Sequence, residues 1–177
     1  MSEAPVMLVT VGTDHHQIDR LIDWVDEYAR TREGRAKLIV QYGYSRPPQA
    51  PNVEATQMMP FDEFQKLLRT VDVLLTPGPT TIMEALEYGL TGICVPRELA
   101  RDEHVDNNQV TFAKYFAAQG KFHLPAGKDE LFALLDAAID DPTAYRFDPA
   151  DVPPPPGIAR IGEVVDALVW GQEIPGR

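Results

Sequence analysis

Residues 72–97 read DVLLTPGPTTIMEALEYGLTGICVPR, and this stretch decides the fold. Val73, Leu74 and Leu75 form a continuous apolar run, which suits a strand buried on both faces. In the turn that follows, Pro77 and Pro79 fix the backbone and Gly78 carries no side chain. Thr80 and Thr81 then open a helix over residues 80–88, stopped by Gly89. The GICV run at 92–95 is a second buried strand, ended by Pro96. A strand, a tight turn and a helix of this kind offer free helix amides and hydroxyls to phosphate groups. Glu84, on the first turns of the helix, has two readings: a ligand for ribose hydroxyls, or a capping-box partner of Thr80 or Thr81.

The same alternation runs outward. Residues 6–11 are an apolar strand, and Ile18, Leu21, Ile22 and Val25 recur at helical spacing up to about Arg30. Residues 37–41 and 53–57 are strands, and 61–69 is a helix with Phe64, Leu67 and Leu68 on one face. Residues 105–119 predict a helix, 121–124 a short edge strand, and 129–139 a helix with an acidic start. This order predicts an α/β domain with a doubly wound, Rossmann-like parallel sheet. The expected division is a domain over 1–146, a Pro-rich linker over 147–157 and a helix with its tail over 158–177. Pro153 to Pro156 read as a stiff polyproline spacer. Ile158, Ile161, Val164, Val165, Leu168 and Val169 form a helical apolar stripe. It packs either on its own domain or on a second domain or chain.

Composition narrows the function. The chain has 177 residues and a formal net charge of -11. An acidic surface repels nucleic-acid phosphates and anionic lipid headgroups, so neither nucleic acid nor direct membrane adsorption is expected. No signal peptide and no run of roughly 20 apolar residues stands out, so membrane insertion is not expected and a cytoplasmic address is the default. The single cysteine, Cys94, lies in an apolar run and reads as a buried thiol.

Four loops follow strand ends, where open α/β sheets hold their ligands. In the first, Gly12 permits close backbone approach and Thr13 offers a hydroxyl and an amide. Asp14 alternatively caps the next helix. His15 and His16 read either as solvated side chains or as phosphate contacts or a base. The second loop contains Gly78, Thr80, Thr81 and Glu84. The third runs from Val95 to Gln109, with Arg97, Arg101, Glu103, His104, Asn107, Asn108 and Gln109. Paired hydrogen bonds from Asn108 and Gln109 suit sugar hydroxyls. In the fourth, Met58, Met59 and Phe61 read as core or as cover for a base. The sequence lacks a GxxxxGK[ST] loop, a GxGxxG turn, an HExxH pair and a DxD pair, so no metal or other cofactor is expected.

Four motifs occur together and in order: VTVGT at 9–13, TTIMEALEYG at 80–89, VPR at 95–97 and EHVDNNQ at 103–109. With them, residues 6–138 resemble the C-terminal, donor-binding half of family 28 glycosyltransferases of the GT-B fold. The nearest type is the soluble catalytic subunit of two-component UDP-N-acetylglucosamine and exopolysaccharide transferases. The resemblance implies an inverting, metal-independent transferase that uses a UDP-sugar donor. The acceptor would be lipid-linked or a polysaccharide. A separate membrane-associated subunit would bind it and bring this chain to the inner membrane face. It also implies that Gly12, Thr13, Gly78, Thr80 and Thr81 line the diphosphate, with Arg97 in the same donor site. Glu84 would bind ribose and the backbone near Phe61 would face uracil. Asn108 and Gln109 would meet the sugar beside Glu103 and His104. The catalytic base is unassigned, with His15 and His16 as candidates. Two alternatives stand: a non-catalytic nucleotide-sugar-binding module, and a self-sufficient homodimer.

Overall fold

The computed structural model describes residues 4–151 and 156–170. The chain divides into two compact units, Met1–Phe147 and Asp148–Arg177.

The first unit contains β1 (Val6–Thr10), α1 (Asp19–Thr31), β2 (Lys37–Gln41), β3 (Val53–Thr56), α2 (Phe61–Thr70), β4 (Val73–Thr76), α3 (Pro79–Glu87), β5 (Ile93–Cys94), α4 (Asn108–Ala117) and α5 (Lys128–Asp140). The five strands form one sheet in the order β3-β2-β1-β4-β5. Every pairing is parallel, with Leu8 beside Ile39 on one side and Leu74 on the other. The predicted doubly wound architecture is therefore the observed one. The edge strand expected at 121–124 is reduced to one bridge, in which His123 pairs with Ile93. Lys121 instead returns its N–H to Phe116 at the end of α4.

Strand alternation makes two cores. Met7, Val9, Val73 and Leu75 face the layer containing Leu21, Ile22 and Val25 of α1 and Leu131 and Leu135 of α5. Leu8, Leu74 and Cys94 face the opposite layer, with Leu68 of α2, Ile82 and Ala85 of α3, and Ala113 of α4. Side chains of successive strand residues point to opposite faces, so continuous apolar runs are what a sheet covered on both sides demands. Each fully buried Leu or Ile here contributes about 1.5–3 kcal/mol. Burial pushes the Cys94 thiol up to about 12, in keeping with a core role.

The loops at the carboxyl end of the sheet are tied to one another. Ser45 accepts the Ile18 N–H at 2.9 Å, linking the turn after β2 to the start of α1. Gly43 sits against the loop after β1 and has φ +55°. A Cβ there would lie 2.7 Å from the Gly12 carbonyl oxygen and 3.0 Å from Val11 Cγ2.

The second unit contains α6 (Pro156–Trp170). Pro156 is the first residue of this helix rather than part of a spacer, and Pro153, Pro154 and Pro155 lie outside the described residues. Of the predicted stripe, Ile161, Val165 and Val169 are exposed and Val164 is half-buried. The side chains of Ile158 and Leu168 lie outside the described set.

Gly43→Ala should destabilise the domain, since the left-handed backbone costs an L-residue about 1–2 kcal/mol and the Cβ meets backbone oxygen. Urea unfolding of both proteins measures it. A loss of less than about 0.5 kcal/mol, ordinary for a surface position, would show that this approach of two loops is not tight.

Candidate functional site

The strand order reverses direction between β1 and β4, and this switch point is where open α/β sheets form a crevice. Both strands end alike. Thr10-Val11-Gly12 closes with the Gly12 N–H donating to Thr10 Oγ1 at 3.2 Å. Thr76-Pro77-Gly78 closes with the Gly78 N–H donating to Thr76 Oγ1 at 3.3 Å. Gly12 has φ 76°, a conformation an L-residue adopts only with strain. These paired turns bring Gly12 and Thr13 to one side of the crevice and Gly78, Thr80 and Thr81 to the other.

Helix α3 begins at Pro79 with Gly78 as its N-cap and no side-chain cap. Its first N–H groups, at Thr80 and Thr81, have no acceptor within the helix. They face the position where the dipole favours an anion. Because the helix starts at Pro79, Glu84 lies well beyond the third helical position, and the capping-box reading fails. Glu84 is half-buried, and its Oε2 accepts from Gln65 Nε2 of α2 at 3.4 Å.

The third loop is more committed internally than the sequence suggests. Glu103 is 5% exposed. Its Oε1 and Oε2 accept from Arg20 Nε and Nη2 at 2.8 and 2.7 Å, and Oε2 also accepts the Glu98 N–H at 3.1 Å. Arg20 reaches on to the Pro96 carbonyl. Glu103 is thus occupied in holding α1 against the loop after β5. Arg97 is buried, and its Nη2 donates to the Val11 carbonyl at 2.7 Å. Its Nε is buried without a partner. Burial lowers the Arg97 pKa, opposed by the charges of Asp14 and Glu103.

Asp14 is not a helix cap: the N-cap of α1 is Ile18, which makes no side-chain cap bond. The Asp14 carboxylate instead meets His16 Nδ1 at 2.7 Å and His104 Nε2 at 3.5 Å. Partial burial opposes its ionisation. The His16 backbone N–H and ring, with the charge of Arg97, outweigh that and hold the carboxyl below its ordinary range. His15 is exposed, and His16 and His104 are half-buried.

Asn108 opens α4, three residues later than the predicted start, because Asp106 accepts both its backbone and side-chain N–H groups. Gln109 is half-buried, with Oε1 buried and unpartnered. Phe61 is 71% exposed at the start of α2, and Met58 is exposed too, so the core reading of both fails. Sequence reasoning missed Arg20 and Gln41. Gln41 is buried at the end of β2. Its amide contacts Thr10 Oγ1 and accepts the Met59 N–H, joining the first and fourth loops. Its polar character at the end of an apolar strand was the available signal.

A doubly wound half-domain with an open helix N-terminus at its switch point is the kind of unit that supplies one wall of a GT-B cleft. The model for the glycosyltransferase family 28 C-terminal domain matches residues 6–145, and the chain belongs to that family. No curated protein matches the chain. Among solved structures it is similar to the glycotransferase of kitacinnamycin (21% identity, TM-score 0.59, 80% of this chain and 36% of that one). It is also similar to UDP-GlcNAc 2-epimerase from Neisseria meningitidis bound to UDP-GlcNAc (13%, 0.60, 97% and 45%). A third neighbour is the glycosyltransferase SnogD from Streptomyces nogalater (21%, 0.52, 95% and 45%). At these identities the likeness is one of fold. The chain spans less than half the length of each of these structures.

Glu103→Ala should lower stability by about 3–5 kcal/mol, the cost of stranding a buried partner charge. Chemical denaturation measures this. An unchanged midpoint would free Glu103 for a ligand.

Proposed function

We propose that this chain is the donor-binding half of an inverting glycosyltransferase that uses a UDP-sugar, N-acetylglucosamine or a related hexose. The acceptor is a lipid-linked sugar or a polysaccharide. The observation that carries this reading is the pair of Thr-x-Gly turns at the β1/β4 switch point, facing the uncapped start of α3. The diphosphate lies across Gly12, Thr13, Gly78, Thr80 and Thr81, where helix N–H groups and dipole replace a counter-cation. Glu84 binds the ribose hydroxyls, and the exposed region at Phe61 faces the base. Asn108 and Gln109 meet the sugar.

In the reaction an acceptor hydroxyl attacks the anomeric carbon on the face opposite the leaving UDP. Its proton passes to a base, and the bond to the diphosphate oxygen breaks. Charge accumulating on the leaving diphosphate is stabilised by the same α3 N–H groups, already oriented before the step. His15 and His16 turn Nδ1 toward Asp14, which leaves Nε2 of each ring free to take a proton, so both stand as candidates for the base, with the acceptor-binding half as the alternative source. A single half-domain supplies one wall of such a cleft. The other wall is assigned to a separate membrane-associated subunit, which brings this chain to the inner membrane face. The exposed apolar residues of α6 suit a docking role. No helix among the described residues is long and apolar enough to cross a membrane.

Glu84→Ala should weaken UDP binding by about 1.5–3 kcal/mol, roughly 10- to 100-fold in Kd. Calorimetric titration of the folded variant decides it, and unchanged affinity would remove Glu84 from the site. UDP affinity should also be the same in chelator as in magnesium. A magnesium requirement in the same titration would contradict phosphate binding by the helix end alone.

A further inference from the structure

A ladder of polar side chains from two neighbouring helices ends on Glu84. Gln65 and Arg69 stand four residues apart on α2, and Tyr88, the C-cap of α3, stands four residues after Glu84. Residues at this spacing share one helix face. The Tyr88 hydroxyl donates to Gln65 Oε1 at 2.6 Å, and Gln65 Nε2 donates to Glu84 Oε2 at 3.4 Å. Arg69 Nη2 donates to the Tyr88 oxygen at 3.3 Å, and its guanidinium carbon lies 4.8 Å from the centre of the Tyr88 ring. Gln65, Glu84 and Tyr88 are half-buried, and Arg69 is exposed.

The chemistry of each group sets the direction of the ladder. A guanidinium only donates, so Arg69 takes an acceptor position of the Tyr88 oxygen and the hydroxyl proton is left for Gln65. Gln65 receives that proton on Oε1, which turns its NH2 group to Glu84. An amide turned the other way would set its carbonyl oxygen against the carboxylate.

We propose that Gln65, held by Tyr88 and Arg69, is a positioning residue that aims the Glu84 carboxylate at the ribose and so sets a preference for ribose over deoxyribose; this rests on Glu84 being the ribose ligand. Gln65 takes one carboxylate oxygen, and a carboxylate has a second that can accept from a ribose hydroxyl. At 3.4 Å the rung to Glu84 is long, so it orients the carboxylate more than it holds α2 to α3. The 2.6 Å rung fixes the amide itself. A glutamate already oriented gives up less rotamer freedom when the nucleotide arrives.

The test is calorimetric titration of the full chain with UDP and with 2′-deoxy-UDP. The two differ by a single hydroxyl, so the base and diphosphate contributions cancel in the ratio of affinities. The unmutated chain should bind UDP about 10- to 100-fold more tightly, the range for hydrogen bonds to a charged group. Glu84→Ala should abolish that preference. Gln65→Leu removes the donor and Gln65→Glu sets a second carboxylate against Glu84. Each should cut the preference by about fivefold or more, the worth of one hydrogen bond. Gln65→Leu should leave the affinity for 2′-deoxy-UDP unchanged. A preference lost in Glu84→Ala but kept in both Gln65 variants, even with a lowered melting temperature, would make Gln65 a contact between helices and overturn its positioning role. Absence of the preference in the unmutated chain, or its survival in Glu84→Ala, would remove Glu84 from the ribose, and the role of Gln65 would fall with it. One readout needs no variant: the Gln65 side-chain amide protons should shift in nuclear magnetic resonance spectra with UDP and move less with 2′-deoxy-UDP. Equal movement with both nucleotides, or none with either, would also overturn the role.

Discussion

A buried cation organises the ligand end of this domain. Arg97 lies just beyond β5, yet its guanidinium donates to the carbonyl of Val11, just beyond β1. A charge in so dry a place is tolerated only with opposite charges nearby. Asp14 and Glu103 provide them, and each in turn fixes another group. Glu103 grips Arg20 on α1 in a bidentate pair, the geometry in which a guanidinium and a carboxylate are matched. Asp14 gathers His16 and His104. The loops after β1 and β5 and the first turn of α1 are therefore one electrostatic unit.

The other half of the crevice is held by backbone conformation. The two Thr-x-Gly turns place glycines where β1 and β4 diverge, so the chain can approach a ligand closely on both sides. Pro79 and the missing side-chain cap leave the N–H groups at the start of α3 open. An anion is the group such an end attracts, even in a chain whose net charge is -11, because the helix-end field acts within the first turn. The acidic remainder of the surface discourages unrelated polyanions. The family match ends at Tyr145, just before the second unit begins. The region the family model matches and α6 thus occupy separate stretches of the sequence.

The layered fold was legible because β1 and β4 are apolar on both faces, and only a sheet covered on both sides demands that. Element ends were less so. The start of α4 moved from 105 to 108 because Asp106 turns its side chain onto Asn108. The strand at 121–124 shrank to one bridge because Lys121 still bonds back to α4. Glu84 stayed ambiguous until the helix start at Pro79 removed its capping role. Local pattern pointed to the loops at the carboxyl end of the sheet but not to the partners their side chains take. Arg20 and Glu103 lie 83 positions apart, and nothing in the sequence near either one announces the other. His16 and His104 are separated as widely, and their meeting on Asp14 became visible only once β1 and β5 were placed in one sheet.

The central claim is that the β1/β4 switch point receives a nucleoside diphosphate. Backbone amide mapping by nuclear magnetic resonance during titration with UDP, and with uridine as a control lacking phosphate, tests it most directly. The account predicts that the amides of Gly12, Thr13, Thr80 and Thr81 shift together and saturate with UDP. With uridine they should move little. Saturable shifts confined to other faces of the domain, or shifts at these four amides that are the same for uridine, would contradict it.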